Sequence, residues 1–318
     1  NSTDPYAQRS LEVIVEIGAG VPQEAVRTAG TTTLESNVTL YGVIRSNDQI
    51  VVQSNVTLKP DENGNCAIYT STDIAEAVSI GTNFRIDPDN EVTTEEIRCR
   101  GPKNDWDGDP ADDAGSGIWK ESNIVEGSPL LVEEDTSEKT EPMDEVSYID
   151  ETQLLNDVDE TYSTRQIYES NIDFYLDNKT FLFEKGVEFR SNVNFHGQGT
   201  LVVDTNGEDV SMYDYGIEFR SNVYGPTDGS YATVNLVVLD GNWAIKDILL
   251  NSNVKIAGLI QGSADIEVES NVSISGLIIA DGDLSMRSNV SLIWAEPTFA
   301  VPTETADETT IISWKEVK

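Results

Sequence analysis

Asp105, Asp107, Asp109 and Asp112 crowd around Gly108 in the stretch NDWDGDPADD. Carboxylates two and three residues apart can converge on one hard cation, as at the start of a calcium loop. The bidentate glutamate that closes such a loop is missing at the required distance. In a chain with 57 acidic residues the same run also reads as a solvated loop. Calcium is therefore the one ion the sequence admits, and no other cofactor is indicated. Cys66, Cys99 and the single His196 are too small an inventory for a zinc site. They also give no nucleophile with a paired base, and His196, in NFHGQG, reads as a surface or core side chain. Acid–base work by two carboxylates stays open, because a sheet face can present ladders of Asp and Glu, yet no pair stands out among so many. Gly-rich phosphate loops, CxxC and HExxH are absent.

Any such side chain has to be positioned by strands, because the chain repeats itself. Ser-Asn followed by Val or Ile occurs nine times, at Asn37, Asn55, Asn123, Asn171, Asn192, Asn222, Asn253, Asn271 and Asn289. Asn37 to Asn55, Asn253 to Asn271 and Asn271 to Asn289 are each eighteen residues, and Asn235 continues the last series backwards. Inside each eighteen runs a period of six: Val254, Ile260, Ile266, Val272, Ile278, Leu284 and Val290 are all aliphatic. Four residues beyond the first six of these, from Gly258 to Ser288, the side chain is small. Alternation at a period of two followed by a small residue means a short strand and a corner. An amphipathic helix of period 3.6 is excluded. Three such strands per eighteen predict an all-β fold, a triangular parallel β-helix whose equivalent residues stack in ladders. A right-handed coil is favoured, and a left-handed one has the same periods. Asn tolerates left-handed backbone angles and can bond its own copy in the next layer, which predicts a corner ladder of Asn235, Asn253, Asn271 and Asn289.

The register divides the chain. Residues 1–31 precede the repeat, and Leu11, Val13, Val15 and Ile17 alternate as a strand that caps the coil or pairs with a neighbouring subunit. Residues 32–60 form the first layers, 61–164 an acidic inserted subdomain, 165–295 the main coil and 296–318 a C-terminal cap. In an exported protein Cys66 and Cys99 are expected to form a disulfide closing a loop of roughly 30 residues, worth about 3 to 4 kcal/mol; two buried thiols are the alternative. Sequons for N-glycosylation stand at Asn1, Asn37, Asn55, Asn178, Asn271 and Asn289. A Ser/Thr-rich strand repeat also makes sequons by itself.

Lys and Arg number 20 against 57 Asp and Glu, a net charge of -37. That balance argues against nucleic acid or an anionic membrane as partner. At molar salt the Debye length falls to roughly 3 Å and the self-repulsion fades, so the composition suits a protein of brine. No apolar run is long enough to span a membrane, and the start at Asn1, without Met or a signal sequence, suggests processing or deliberate truncation, with an anchor as a segment open to loss.

The unit from Val272 to Asn289, with Gly276, Gly282 and Asp283 and the matching Gly258, resembles the bactofilin-like, polymer-forming β-helix repeat, versions of which occur in PilX-like pilus-assembly and surface proteins. The closing IISWKEV is similar to the tails of the latter. The resemblance covers 32–60 and 165–295. It implies a right-handed triangular β-helix, no cofactor, and a scaffold or filament role. The chain departs from bactofilins in its cysteine-bearing insertion and from PilX-like proteins in lacking an apolar N-terminal helix.

The expected function is a structural protein at the extracellular surface of a halophilic archaeon, in or beside a pilus or filament, with copies of itself or pilus proteins as partners and any membrane contact made through a lost anchor. A glycan-binding or glycan-cleaving β-helix is the first alternative, with two carboxylates in an aromatic groove around Trp243 and Trp294. A trimeric viral fibre or spike is the second. The charge itself yields a test: below about 0.2 M salt, unscreened repulsion between carboxylates should unfold the chain. Circular dichroism during desalting would follow the loss, and an unchanged spectrum would sink the brine argument.

Overall fold

Short strands with one apolar face and left-handed corners cannot bury that face alone; each needs a copy above and below it. In a computed structural model of the chain, nearly every element is such a strand, and 24 of them join in one continuous sheet whose pairings are all parallel. The description covers residues 22–72, 78–86, 143, 146–147, 149–227, 229–297, 299 and 301–302, and the backbone of the strands at 10–16, 94–99, 118–120 and 310–317. Partners in the regular part lie eighteen residues apart: Ile256 faces Ile274 and then Leu292, and Ile266 faces Leu284. The series Val254, Ile260, Ile266, Val272, Ile278, Leu284 and Val290 points inward, each at most 1% exposed. This pairing agrees with the expected β-helix.

Three kinds of corner hold the coil. At the first, Asn37, Asn55, Asn83, Asn171, Asn192, Asn222, Asn253, Asn271 and Asn289 all have φ between 54° and 63°. Their side chains bond layer to layer: Asn192 Nδ2 donates to Asn171 Oδ1 at 2.9 Å, Asn222 to Asn192 at 2.8 Å and Asn253 to Asn222 at 3.0 Å. At the second, Gly258 and Gly276 have φ of 152° and 158°, and a Cβ on Gly276 would sit 1.8 Å from the Gly258 carbonyl oxygen. At the third, an aspartate accepts a backbone N–H from the next layer: Asp283 N–H donates to Asp265 Oδ1 and Thr31 N–H to Asp283 Oδ1, each at 2.8 Å.

Asn235 departs from the expected ladder. The interval from Asn222 to Asn253 is 31 residues, so counting back eighteen from Asn253 lands inside the strand Ala232–Val238 and not at a corner. Asn235 is buried there, accepting from Leu259 N–H at 2.9 Å and donating to the Phe299 carbonyl at 2.9 Å.

The order of layers is not the order of the chain. Ile278 pairs with Val26, Leu284 with Thr32 and Leu292 with Leu40, so residues 24–41 stack directly on 273–294. One aliphatic row therefore runs Leu201, Leu236, Ile260, Ile278, Val26, Ile44 and Ile68, crossing the junction without a break. The Asn corner crosses it too, with Asn289 N–H donating to Ser36 O at 3.2 Å. The chain enters at the middle of the stack, builds outward to Ile118–Lys120, which pairs with Val78–Ile80. It then resumes at the opposite end with Glu160–Tyr162 and builds back to the middle. Trp294 Nε1 donates to the Pro22 carbonyl at 3.1 Å, where arrival and departure meet.

Two expected boundaries change accordingly. The strand Glu24–Thr28 belongs to the stack and not to a preceding segment. The layers also do not stop at residue 60, since Asn65–Thr70 and Val78–Ile80 continue them and Thr94–Cys99 pairs with Asn65–Thr70. Of the presumed insertion, the described residues 143, 146–147 and 149–156 form a strap on the outer face. Met143, Val146, Ile149 and Leu154, with Val301, close over Val202, Val237, Leu259, Leu277 and Ile279. Such side chains contribute roughly 1.5–3 kcal/mol each when fully buried. Asn47 fixes the strap by a double contact, Oδ1 accepting from Met143 N–H at 2.7 Å and Nδ2 donating to its carbonyl at 2.9 Å.

A mid-ladder substitution separates strain from bonding. Asn222→Ala loses two amide bonds and keeps a Cβ at positive φ without the polar side chain that lets asparagine tolerate it, which costs about 1–2 kcal/mol beyond the bonds; Asn222→Gly loses the bonds but removes the strained Cβ. Chemical denaturation at molar salt should rank parent, Gly and Ala in falling stability, and equal stability of Gly and Ala variants would refute the strain.

Candidate assembly surface

The layer at 160–175 ends the stack. Glu160–Tyr162, Gln166–Tyr168 and Ile172–Tyr175 pair with Thr180–Phe183 and Val187–His196 on one side. Among the described residues no strand pairs their other edge. Aromatic rings replace aliphatics here and plug the interior: Tyr162 stacks on Phe183 at 5.1 Å and Tyr168 on Phe189 at 4.8 Å, while Phe174 meets Phe189 edge-on at 5.4 Å. Burial drives the Tyr168 phenol well above its ordinary range, so it stays protonated. Ile167 and Tyr175 stand out from the flank, 46% and 58% exposed. Gln166 N–H donates inward to the Gly186 carbonyl, so by alternation the Ile167 N–H points off the open edge. An edge with free donors is a template for another strand.

Beside this end lies a flank of ion pairs. Glu188, Glu218 and Glu267 are buried on the outer face. Arg220 Nε bridges Glu188 at 2.9 Å and Glu218 at 2.8 Å, Arg190 Nε reaches Glu188 at 2.8 Å, and Arg287 Nη2 reaches Glu267 at 2.6 Å. Burial pushes the Glu218 carboxyl up, with Arg220 opposing. Arg165 packs on the Tyr213 ring at 4.8 Å and donates to the Tyr215 carbonyl at 2.7 Å. Glu188 and Glu218 stand in neighbouring layers like a catalytic pair, but the shared guanidinium makes them a clamp between layers. Trp243 and Trp294 are buried, 9% and 6% exposed.

The other predicted residues fall in several places. Asp105, Asp107, Asp109, Asp112, Asn1 and Ile17 lie outside the described residues, and among those described no group of three His, Cys, Asp or Glu is arranged to hold a metal. Leu11, Val13 and Val15 lie in the strand Ser10–Glu16, which pairs antiparallel with Thr310–Val317 of the same chain. Cys66 faces Glu95 while Cys99 faces Thr70, four rows along the same strand pair. At about 3.3 Å per residue that is ~13 Å, beyond the Cα separation a disulfide allows, which corrects the expected bridge. Asn37, Asn55, Asn178, Asn271 and Asn289 are exposed, all with positive φ. His196 pairs with Asp173 at 2.9 Å and stacks on Tyr175 at 4.7 Å, a surface cluster. The open end and the ion-pair flank escaped the sequence reading, although the aromatic run from Tyr162 to Phe195 marks the end. No helix among the described residues is long and apolar enough to cross a membrane. Neither a model of a known protein family, nor a curated protein, nor a solved structure matches the chain.

Asp247, a corner residue 1% exposed, accepts from Ser263 Oγ at 2.9 Å and Ala264 N–H at 2.7 Å, and burial pushes its carboxyl up to about 6. A folded value above the unfolded one means the native state holds the proton more tightly, so stability falls as pH rises from about 4 to about 6. Two pH units correspond to about 3 kcal/mol. Asp247→Asn, which keeps both acceptor contacts, should match the parent near pH 4 and exceed it by up to about 3 kcal/mol above pH 6. Melting curves at molar salt across that range check it; a constant offset would contradict the burial argument.

Proposed function

We propose that the chain is a structural protein of a halophile's cell surface, a subunit or close associate of an extracellular filament or pilus, assembling through β-strand contacts with copies of itself or with pilus proteins. The coil is read as a right-handed triangular β-helix of about 18 residues per layer. The observation that carries the reading is the open layer at 160–175, with its one-sided strands, outward Ile167 N–H and exposed Ile167 and Tyr175. The permuted path supports it, because residues 24–41 and 273–294 meet in the middle of the stack, away from that end. The net charge of -37 supports the brine setting.

Electron microscopy at molar salt across a concentration series tests this on the parent and on Ile167→Pro. Proline removes the outward N–H while the inward pairing of Gln166 and Tyr168 stays. The parent should form filaments or end-joined rods as concentration rises, and the variant should remain single rods with the same circular dichroism. Single rods from the parent at every concentration would count against the reading.

A further inference from the structure

Nine asparagines form the exposed corner, but only four are followed two residues later by a hydroxyl: Asn271, Asn289, Asn37 and Asn55, with Ser273, Ser291, Thr39 and Thr57. Asn83, Asn171, Asn192, Asn222 and Asn253 lack it. In sequence the four are two pairs near opposite ends of the chain. In the stack they are consecutive. Asn271 N–H donates to Ser288 O, Asn289 N–H to Ser36 O and Asn37 N–H to Ser54 O, at 3.1, 3.2 and 3.3 Å. The hydroxyls form a matching row, Ser273 facing Ser291, then Thr39, then Thr57. All four asparagines are exposed and all four hydroxyls partly so.

We propose that this row is one modification site carrying N-linked glycans on alternate layers, two per chain and never on neighbours. The inference rests on the surface reading for its donor, a sugar activated as a lipid-linked phosphate. The transfer forms a bond from Asn Nδ2 to the sugar C1 and breaks the C1–O bond. The lipid phosphate leaves with the bonding pair, and one amide proton passes to solvent. Nδ2 keeps its second hydrogen, which can still serve the ladder, as Asn289 Nδ2 serves Asn271 Oδ1 at 3.1 Å. Layers stand about 4.8 Å apart, so a sugar on one layer covers the asparagine and hydroxyl of the next and blocks a second transfer.

The test is secretion of the full chain from a host that N-glycosylates, read by intact mass and glycopeptide mass spectrometry. Two glycan masses from the row are expected, spread over the four positions. Ser273→Ala with Thr39→Ala removes two sequons without touching the ladder; it should keep the total at two and drive Asn289 and Asn55 to full occupancy. A bare row beside a modified Asn178, a wholly bare chain, or three or four sugars on the row would each overturn the proposal. Export is imposed by the host, so these outcomes do not bear on the native location. Conversely, a modified row in this host, with the protein found inside its native cells, would sink the surface reading and leave the stripe.

Discussion

Everything in this molecule depends on one repeated act: an asparagine in the left-handed region hands its amide hydrogen to the asparagine of the layer beside it. The backbone angle near 57° turns the chain at that corner, and the side-chain bond fixes which layer sits where. A slip by one residue would turn every inward aliphatic outward. The ladder therefore sets register as well as turn. Because each Nδ2 points toward the same end, from Asn253 through Asn222 and Asn192 to Asn171, the bonds align head to tail and give the stack a direction.

Register held this locally explains how the stack tolerates a permuted chain. The layer from 24–41 meets the one from 273–294 through a backbone bond at the asparagine corner, an aspartate corner and an aliphatic row, as layers consecutive in the chain do. Contacts run only between neighbouring layers, so continuity of the chain between them is not required. What the permutation does demand is a return path between the two ends. The apolar residues of the strap account for Val202, Val237, Leu259 and Leu277, which would otherwise expose a greasy outer face.

How much of this could be read in advance followed from the range of each signal. The aliphatic period of six and the Ser-Asn corner are local rules, and they placed the inward residues from Val254 to Val290 and eight of the nine described corner asparagines. Asn83 escaped because threonine precedes it, and Asn235 misled because an inserted loop shifts the count within its layer. Long-range facts left no periodic mark. Nothing in EAVRT announces that it stacks on SISGLIIA some 250 residues away. The apolar outward residues Leu259 and Leu277 were the visible hint of a cover. The cysteine bridge failed for a related reason: the insertion was treated as a free subdomain, whereas its strands are in register and hold Cys66 and Cys99 apart.

The acidity then has two parts that respond differently to salt. Asp265 and Asp283 accept backbone hydrogen bonds at a corner, and across layers Arg220 reaches Glu188, Arg190 reaches Glu169 and Arg287 reaches Glu267. These carboxylates bind layers together, and burial protects Glu188 and Glu267 from screening. Other acids lie on the surface, where at a net charge of -37 their mutual repulsion dominates. Added salt weakens that repulsion far more than it weakens the buried clamps, so the balance shifts toward the stack as salinity rises. Arg165, Arg190 and Arg220 lie within the three layers nearest the 160–175 end. That end thus combines ion pairs across layers with an outer edge that no described strand covers, so its outward donors are held in fixed positions in advance of any partner.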